Sequence, residues 1–211
     1  MTAIEENQQS EEIRNYFEFS GLKEELKSVS ADMISRIELL VERISDKTGR
    51  PVVDNIILRI KSPESIARKL VRKKRDATPQ NALNTLHDII GIRVVCHFQD
   101  DVFLVSDEIS RNIGYELVNI KDFVTKPKSS GYRSIHIILT YSSASGRRCF
   151  AEIQVRSVAM NYWAILDHLL CYKNDDDRVR ELRKQLKEYA GEIAAIDKKF
   201  YKIRRKIEKL S

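Results

Sequence analysis

The sequence has no apolar run approaching the roughly 18 residues that a membrane-crossing helix needs, so no transmembrane segment is expected. The stretch Met1 to Ser20 is acidic and polar and lacks the apolar centre of a signal peptide. No G-x-x-x-x-G-K-[ST] loop is present, which excludes a P-loop site, and no G-x-G-x-x-G marks a dinucleotide fold. Cysteine is scarce: Cys96 and Cys149 lie in apolar, strand-like runs and Cys171 late in a helical one. Three thiols, an odd number, read as reduced, mostly buried side chains of a cytoplasmic protein rather than as a disulfide frame. The four histidines, His87, His97, His136 and His168, have no zinc-type spacing with the cysteines. Internal repeats and low-complexity tracts are absent.

What is present is charge. Thirty-seven Lys and Arg against 31 Asp and Glu give a formal net charge of +6 in 211 residues. That balance favours anionic partners, meaning nucleotides, nucleic acid or acidic lipid. A hydrophobic fraction of 42% supports a sizeable core, and the length suits one domain with appendages.

Periodicity divides the chain into 1–50, 51–175 and 176–211. Residues 11–46 read as one helix, with Leu22, Leu26, Val29, Met33, Ile37, Leu40 and Ile44 at steps of three and four, ended by Gly49 and Pro51. Residues 52–61 read as a strand. Ser62 and Pro63 then suit the N-cap and first position of a helix running to about Arg75, which Asp76–Pro79 breaks. A strand over 89–98, a helix over 102–112, a hairpin-like region over 115–141 and a strand over 148–156 follow, then a helix from Val158 and a turn at Asn174–Asp177. From Val179 to Leu210 the apolar residues alternate steps of three and four in a heptad stripe. Such a stripe packs either on its own domain or on another helix. The repeat is long for one small domain, and it predicts a homo-oligomer through 178–210.

Side chains alternate along a strand, so Arg59 and Lys61 share one face, and Glu152, Gln154 and Arg156 share another. Ser134 and His136 also share a face, opposite Ile135 and Ile137. A merely wet sheet face would be a looser mixture; here charged residues of three strands converge on one surface. The helix that follows Arg59 and Lys61 offers free N–H groups at its start, with Ser65 in its first turn and Lys69 one turn on. Arg59, Lys61, Ser65 and Lys69 together suit a polyphosphate. Lys126–Arg133 is a basic loop in which Tyr132 can stack on a base and Lys128 and Arg133 can meet phosphates. Asp88 and Glu152 are two carboxylates able to hold a divalent ion, and either can accept a proton from a hydroxyl. His87-Asp88 looks like the metal-binding dipeptide of HD phosphohydrolases, but no histidine precedes it to complete that site.

Ile57–Leu70, Asp88-Ile-Ile-Gly-Ile-Arg93, Lys126–His136 and Glu152-Ile-Gln-Val-Arg156, with Met160–Trp163, His168 and Tyr172-Lys173, resemble the synthetase domain of the RelA/SpoT homologue family, in its small single-domain branch. The resemblance covers about residues 20–175. The paired G-Y-R-S-x-H and E-x-Q-x-R motifs carry most of its specificity. It implies an α+β fold: a mixed five-stranded β-sheet flanked by helices, nucleotidyltransferase-like, with N-terminal helices and a long C-terminal helix. It implies transfer of pyrophosphate from ATP to the ribose 3′-hydroxyl of GTP or GDP, with Mg²⁺. Arg59 and Arg93 would sandwich the adenine, and Lys61, Ser65 and Lys69 would hold the phosphates. Asp88 and Glu152 would bind Mg²⁺, Glu152 also helping to deprotonate the acceptor. Tyr132 would stack on guanine, with Lys128, His136 and Gln154 near the acceptor or the transferred group. By family analogy the oligomer is a tetramer. Phe123, Ser130, Ser157 and Asp167 stand where Tyr, Asn, Thr and Glu are usual. Two alternatives remain open: a tRNA 3′-end pyrophosphokinase on the same fold, and an inactive nucleotide- or RNA-binding module.

Overall fold

The computed structural model describes residues 3–143, 146–171 and 177–210, and their side chains except at 3–9, 171 and 177–180. Tyr172, Lys173, the expected turn at Asn174–Asp176 and the side chains of Cys171 and Val179 lie outside the described residues. Five strands, β1 (Val53–Ile60), β2 (Ile90–Cys96), β3 (Glu116–Asp122), β4 (Ile135–Ser142) and β5 (Arg148–Ser157), form one sheet in the order β1-β2-β5-β4-β3. β2 and β5 pair in parallel and the other neighbours antiparallel, so the sheet is mixed, as expected.

The pairing register explains both faces of the sheet. Ile92, Ile153 and Ile137 lie side by side on β2, β5 and β4, each at most 1% exposed. Each such burial contributes about 1.5–3 kcal/mol. One residue further along, Arg93, Gln154 and His136 form the neighbouring row and point the other way. The apolar face is covered by α5 (Gln99–Asn112) and α2 (Leu22–Thr48), whose Leu26, Met33, Ile37 and Ile44 join the same core. Among the described residues no helix is long and apolar enough to cross a membrane.

Two helix boundaries differ from expectation. The single helix over 11–46 is two, α1 (Ala3–Phe19) and α2, parted at Gly21, whose φ of 74° is left-handed backbone that L side chains resist. Gly49, at φ 67°, closes α2, its N–H bonding to Asp46 O. The break at Asp76–Pro79 is also the start of a short helix, α4 (Pro79–Thr85), capped by Thr78 Oγ1 accepting from Asn81 N–H at 3.2 Å with Pro79 in its first turn. The helix start at Ser62 is as expected: in α3 (Pro63–Arg72) Ser62 Oγ accepts from Ser65 N–H at 3.4 Å. Cys96 and Cys149 are free and buried.

The heptad segment is α7 (Asp177–Ile207), which follows α6 (Val158–Cys171). It docks on the body mainly through a row beside its apolar stripe, of whose described residues only Leu186 and Ile193 are half-buried. Ala190 and Asp197 are 4% and 5% exposed. Ser157 Oγ donates to Asp197 Oδ2 at 2.6 Å, and Trp163 Nε1 donates to Leu186 O at 2.8 Å. Arg204 pairs with Asp100 and lies 5.0 Å over the Phe98 ring. The stripe Leu182, Tyr189, Ile196, Phe200, Ile203 and Ile207 is left about half exposed.

Candidate active site

The polar face of the sheet floors a cleft of about 1100 Å³. Arg59, Arg93, Glu152, Gln154 and Arg156 come from β1, β2 and β5; Lys61 and Asp88 stand at the near ends of strands; Tyr132 comes from the loop between β3 and β4. Gly91 lies between Arg59 and Glu152 in register, where a Cβ would sit 3.4 Å from Arg59 O, so the absent side chain leaves the floor open there. α6 and α7 supply the opposite wall, including Ile165, Asp167, His168, Arg183, Lys184 and Lys187.

Asp88 is held by two cations. Lys61 Nζ and Lys69 Nζ both donate to Oδ2, Lys69 at 2.5 Å, while Oδ1 is buried with no partner. Burial pushes the Asp88 carboxyl up, but the two ammonium groups outweigh it and hold it below the usual carboxylate range. Burial likewise lowers Lys61, against the pull of Asp88. Glu152 accepts from Gln154 Nε2 at 2.6 Å and pairs with His136 Nδ1 at 3.0 Å. Burial raises Glu152, the bond to His136 lowers it, and the net shift is downward although the charge of Asp88 opposes it. Both carboxylates are therefore ionised at neutral pH, and Glu152 feels the charge of Asp88.

Tyr132 is pinned rather than free. Its hydroxyl lies 2.7 Å from His136 Nε2 and accepts from Arg156 Nη2 at 2.6 Å. Lys128 Nζ and the Arg156 guanidinium lie over its ring at 4.7 and 4.9 Å. Burial lowers the Lys128 ammonium. Phe123 meets the rings of Tyr132 and His136 edge-on at 6.2 and 5.2 Å. The loop is seated by Gly131, whose N–H donates to Lys128 O at 2.9 Å.

All but two of the residues singled out from the sequence thus meet around one cleft; the exceptions are Ser65 and Arg133, whose Nη1 donates to Val124 O at 2.8 Å. Arg59, Lys61, Asp88, Arg93, Tyr132, Glu152 and Gln154 line it. Lys69 and His136 reach it through Asp88 and Glu152, and Lys128 through the Tyr132 ring. Ser65 stands apart in the first turn of α3, its hydroxyl near Ser62 Oγ at 3.1 Å and Arg68 Nη2 at 3.4 Å. His87 is stacked on Phe150 at 4.5 Å, and among the described residues no group of three or more His, Cys, Asp or Glu could hold a metal. Sequence reasoning gave no role to Arg156, although strand alternation put it beside Glu152, nor to the α7 cations, whose helix was legible only as a heptad.

A cationic edge on α3 and β1, two ionised carboxylates at the centre and an aromatic on the far loop are the parts needed to bind two nucleotides and move a charged group between them. The family profile described as "Region found in RelA / SpoT proteins" matches residues 58–177, more than half of the chain. The chain belongs to this family. GTP pyrophosphokinase YwaC of Bacillus subtilis (strain 168) is 34% identical over 163 residues, covering 76% of this chain and 78% of that protein. GTP pyrophosphokinase YjbM of the same organism is 30% identical over 146 residues, covering 68% and 69%. The crystal structure of small alarmone synthetase 1 from Bacillus subtilis bound to its product pppGpp superposes with a TM-score of 0.78 over 90% of this chain and 98% of that one; at 24% identity this likeness speaks for the fold.

Proposed function

We propose that the protein is a (p)ppGpp synthetase, transferring the β,γ-pyrophosphate of ATP to the ribose 3′-hydroxyl of GTP or GDP and releasing AMP in the cytoplasm. The observation that carries this reading is the cleft that places the Lys61–Asp88–Lys69 group and the His136–Glu152–Gln154 group on one sheet face, in a chain whose relatives are named GTP pyrophosphokinases.

The donor lies at the β1–α3 edge. Arg59 and Arg93 take the adenine between their guanidinium planes, and Lys61, Lys69, Ser65 and the N-terminal end of α3 hold its phosphates. The acceptor lies at the loop. Of the two cations over the Tyr132 ring Arg156 is buried and Lys128 exposed, so the guanine stacks there in place of Lys128. Lys128 is then released to meet a phosphate, with His136 and Gln154 beside the ribose. Glu152 accepts the proton of the 3′-hydroxyl as its oxygen attacks the β-phosphorus, and AMP leaves. Asp88 and Glu152 fit Mg²⁺: both are ionised, both line the cleft, and Asp88 Oδ1 is a buried hard oxygen without a partner. When bound, that ion neutralises charge on the transferred phosphates.

Purified protein mixed with γ-labelled ATP, Mg²⁺ and GTP, GDP or GMP in turn is expected to label a guanosine tetra- or pentaphosphate. Label on tRNA instead of on any nucleotide would replace this reading with tRNA 3′-end transfer.

The catalytic unit in this reading is 51–175, with 1–50 and 176–211 as helical flanks, and the stripe of α7 joins copies of the chain into a homotetramer. Ile196 and Phe200, 49% and 59% exposed, carry no load in the body. The pair Ile196→Asp and Phe200→Asp is expected to leave the melting temperature of the monomer fold little changed and to reduce the assembly to monomer by light scattering. A wild-type protein already monomeric at micromolar concentration would remove the assembly from the proposal.

A further inference from the structure

Arg156 touches neither nucleotide in the transfer as described, yet both hydrogen-bonded paths to Glu152 begin on it. Its Nη2 donates to Tyr132 Oη and to Gln154 Oε1, each at 2.6 Å. From Tyr132 the first path passes to His136 Nε2 at 2.7 Å and from His136 Nδ1 to Glu152 Oε1 at 3.0 Å. The second passes from Gln154 Nε2 to Glu152 Oε2 at 2.6 Å.

A guanidinium only donates and an ionised carboxylate only accepts. With those ends fixed, the groups between them are oriented in turn. The Gln154 amide turns its oxygen to Arg156 and its nitrogen to Glu152, His136 carries a proton on Nδ1, and the Tyr132 hydroxyl, which accepts from Arg156, meets Nε2. The five side chains close a ring in which both carboxylate oxygens are addressed from one source. Strand geometry builds it: 152, 154 and 156 share a face of β5, and His136 is opposite Gln154 on β4. Arg156 is 4% exposed, set into the cleft floor.

We propose that Arg156 is a positioning residue, which fixes both oxygens of Glu152 through the Tyr132–His136 arm and the Gln154 arm. The inference rests on the reading of Glu152 as the group that receives the acceptor's proton. A side chain that orients a reacting carboxylate without touching substrate changes turnover and leaves binding alone. Removing such an outer partner costs roughly 10- to 100-fold.

The test is steady-state kinetics of the full chain with ATP and the preferred guanine nucleotide. Arg156→Met is expected to lower kcat by that 10- to 100-fold while both KM values stay within about threefold. Tyr132→Phe keeps the ring for stacking and cuts one arm; combined with Arg156→Met it is expected to add nothing, because the arm is already cut. Arg156→Lys, which keeps the charge without the fork, is expected to recover part of the rate. Independently of turnover, ¹⁵N-histidine NMR should find His136 protonated at Nδ1. Additive losses, a raised KM with unchanged kcat, or an Nε2–H tautomer would overturn the proposal. If Arg156→Met does not fold, Tyr132→Phe and Gln154→Met each cut one arm, and wild-type kcat in both would also overturn it. A wild type that makes no nucleotide product would defeat the functional reading itself; a wild-type rate in Arg156→Met would defeat this inference alone.

Discussion

Glu152→Gln is expected to abolish product formation, with a fall in rate of roughly 10³-fold or more, while the protein still folds. General-base assistance contributes about 10²–10⁴-fold, and the same substitution removes one of the two charges available to a cation in the cleft. The structural cost is smaller. Glutamine has the same shape and can keep one of the two bonds that Glu152 makes with His136 and Gln154. Losing the other costs about 1–3 kcal/mol. Labelled-ATP turnover beside a thermal melt separates the two effects. A variant within tenfold of wild type would remove Glu152 from the chemistry and transfer attention to Asp88.

Gly131→Ala should have the next largest effect, and it should fall on the acceptor. Gly131 has φ 93°, where an L side chain is strained, and an added Cβ would stand 2.6 Å from Ala190 Cβ and 3.4 Å from Lys187 O. Both neighbours belong to a docked helix, so relief must come from the loop. The loop carries Lys128 and Tyr132, whereas Arg59, Lys61 and Lys69 are on β1 and α3, away from the contact. The KM for GTP or GDP is therefore expected to rise at least about tenfold, with that for ATP changing much less. Ala190→Gly removes the opposing methyl at about 1 kcal/mol of helix stability and should recover part of the loss in the double variant. Equal rises in both KM values, or no rescue, would mean that α7 does not hold the loop in place.

The sheet face was legible because strand alternation is a local rule. Arg59, His136, Glu152 and Gln154 declare their side of the sheet from their immediate neighbours, and the register then aligns them. The Lys61–Asp88–Lys69 contact was not legible by that rule. It joins residues 27 and 19 positions apart across a helix start and a strand start, where no period applies. The resemblance could place all three at one site without saying that both cations meet one oxygen. The break at Gly21 escaped because the apolar row was read from Leu22 onward; Phe17 and Leu22, both buried, are five apart, a step no continuous helix face makes. α4 escaped because Thr78-Pro79 is at once a stop for one helix and a start for the next.

The heptad shows the same limit from the other side. Period gives a face but not its occupant. The row that meets the body, Ala190, Asp197 and Arg204, repeats every seven residues just as the apolar stripe does, and it is small and polar. A straight α-helix turns such a row by about 20° per heptad, a drift that the long Arg204 side chain spans in reaching Asp100. A second helix laid on the seven-residue stripe would coil with it as a left-handed pair, crossing at about 20°.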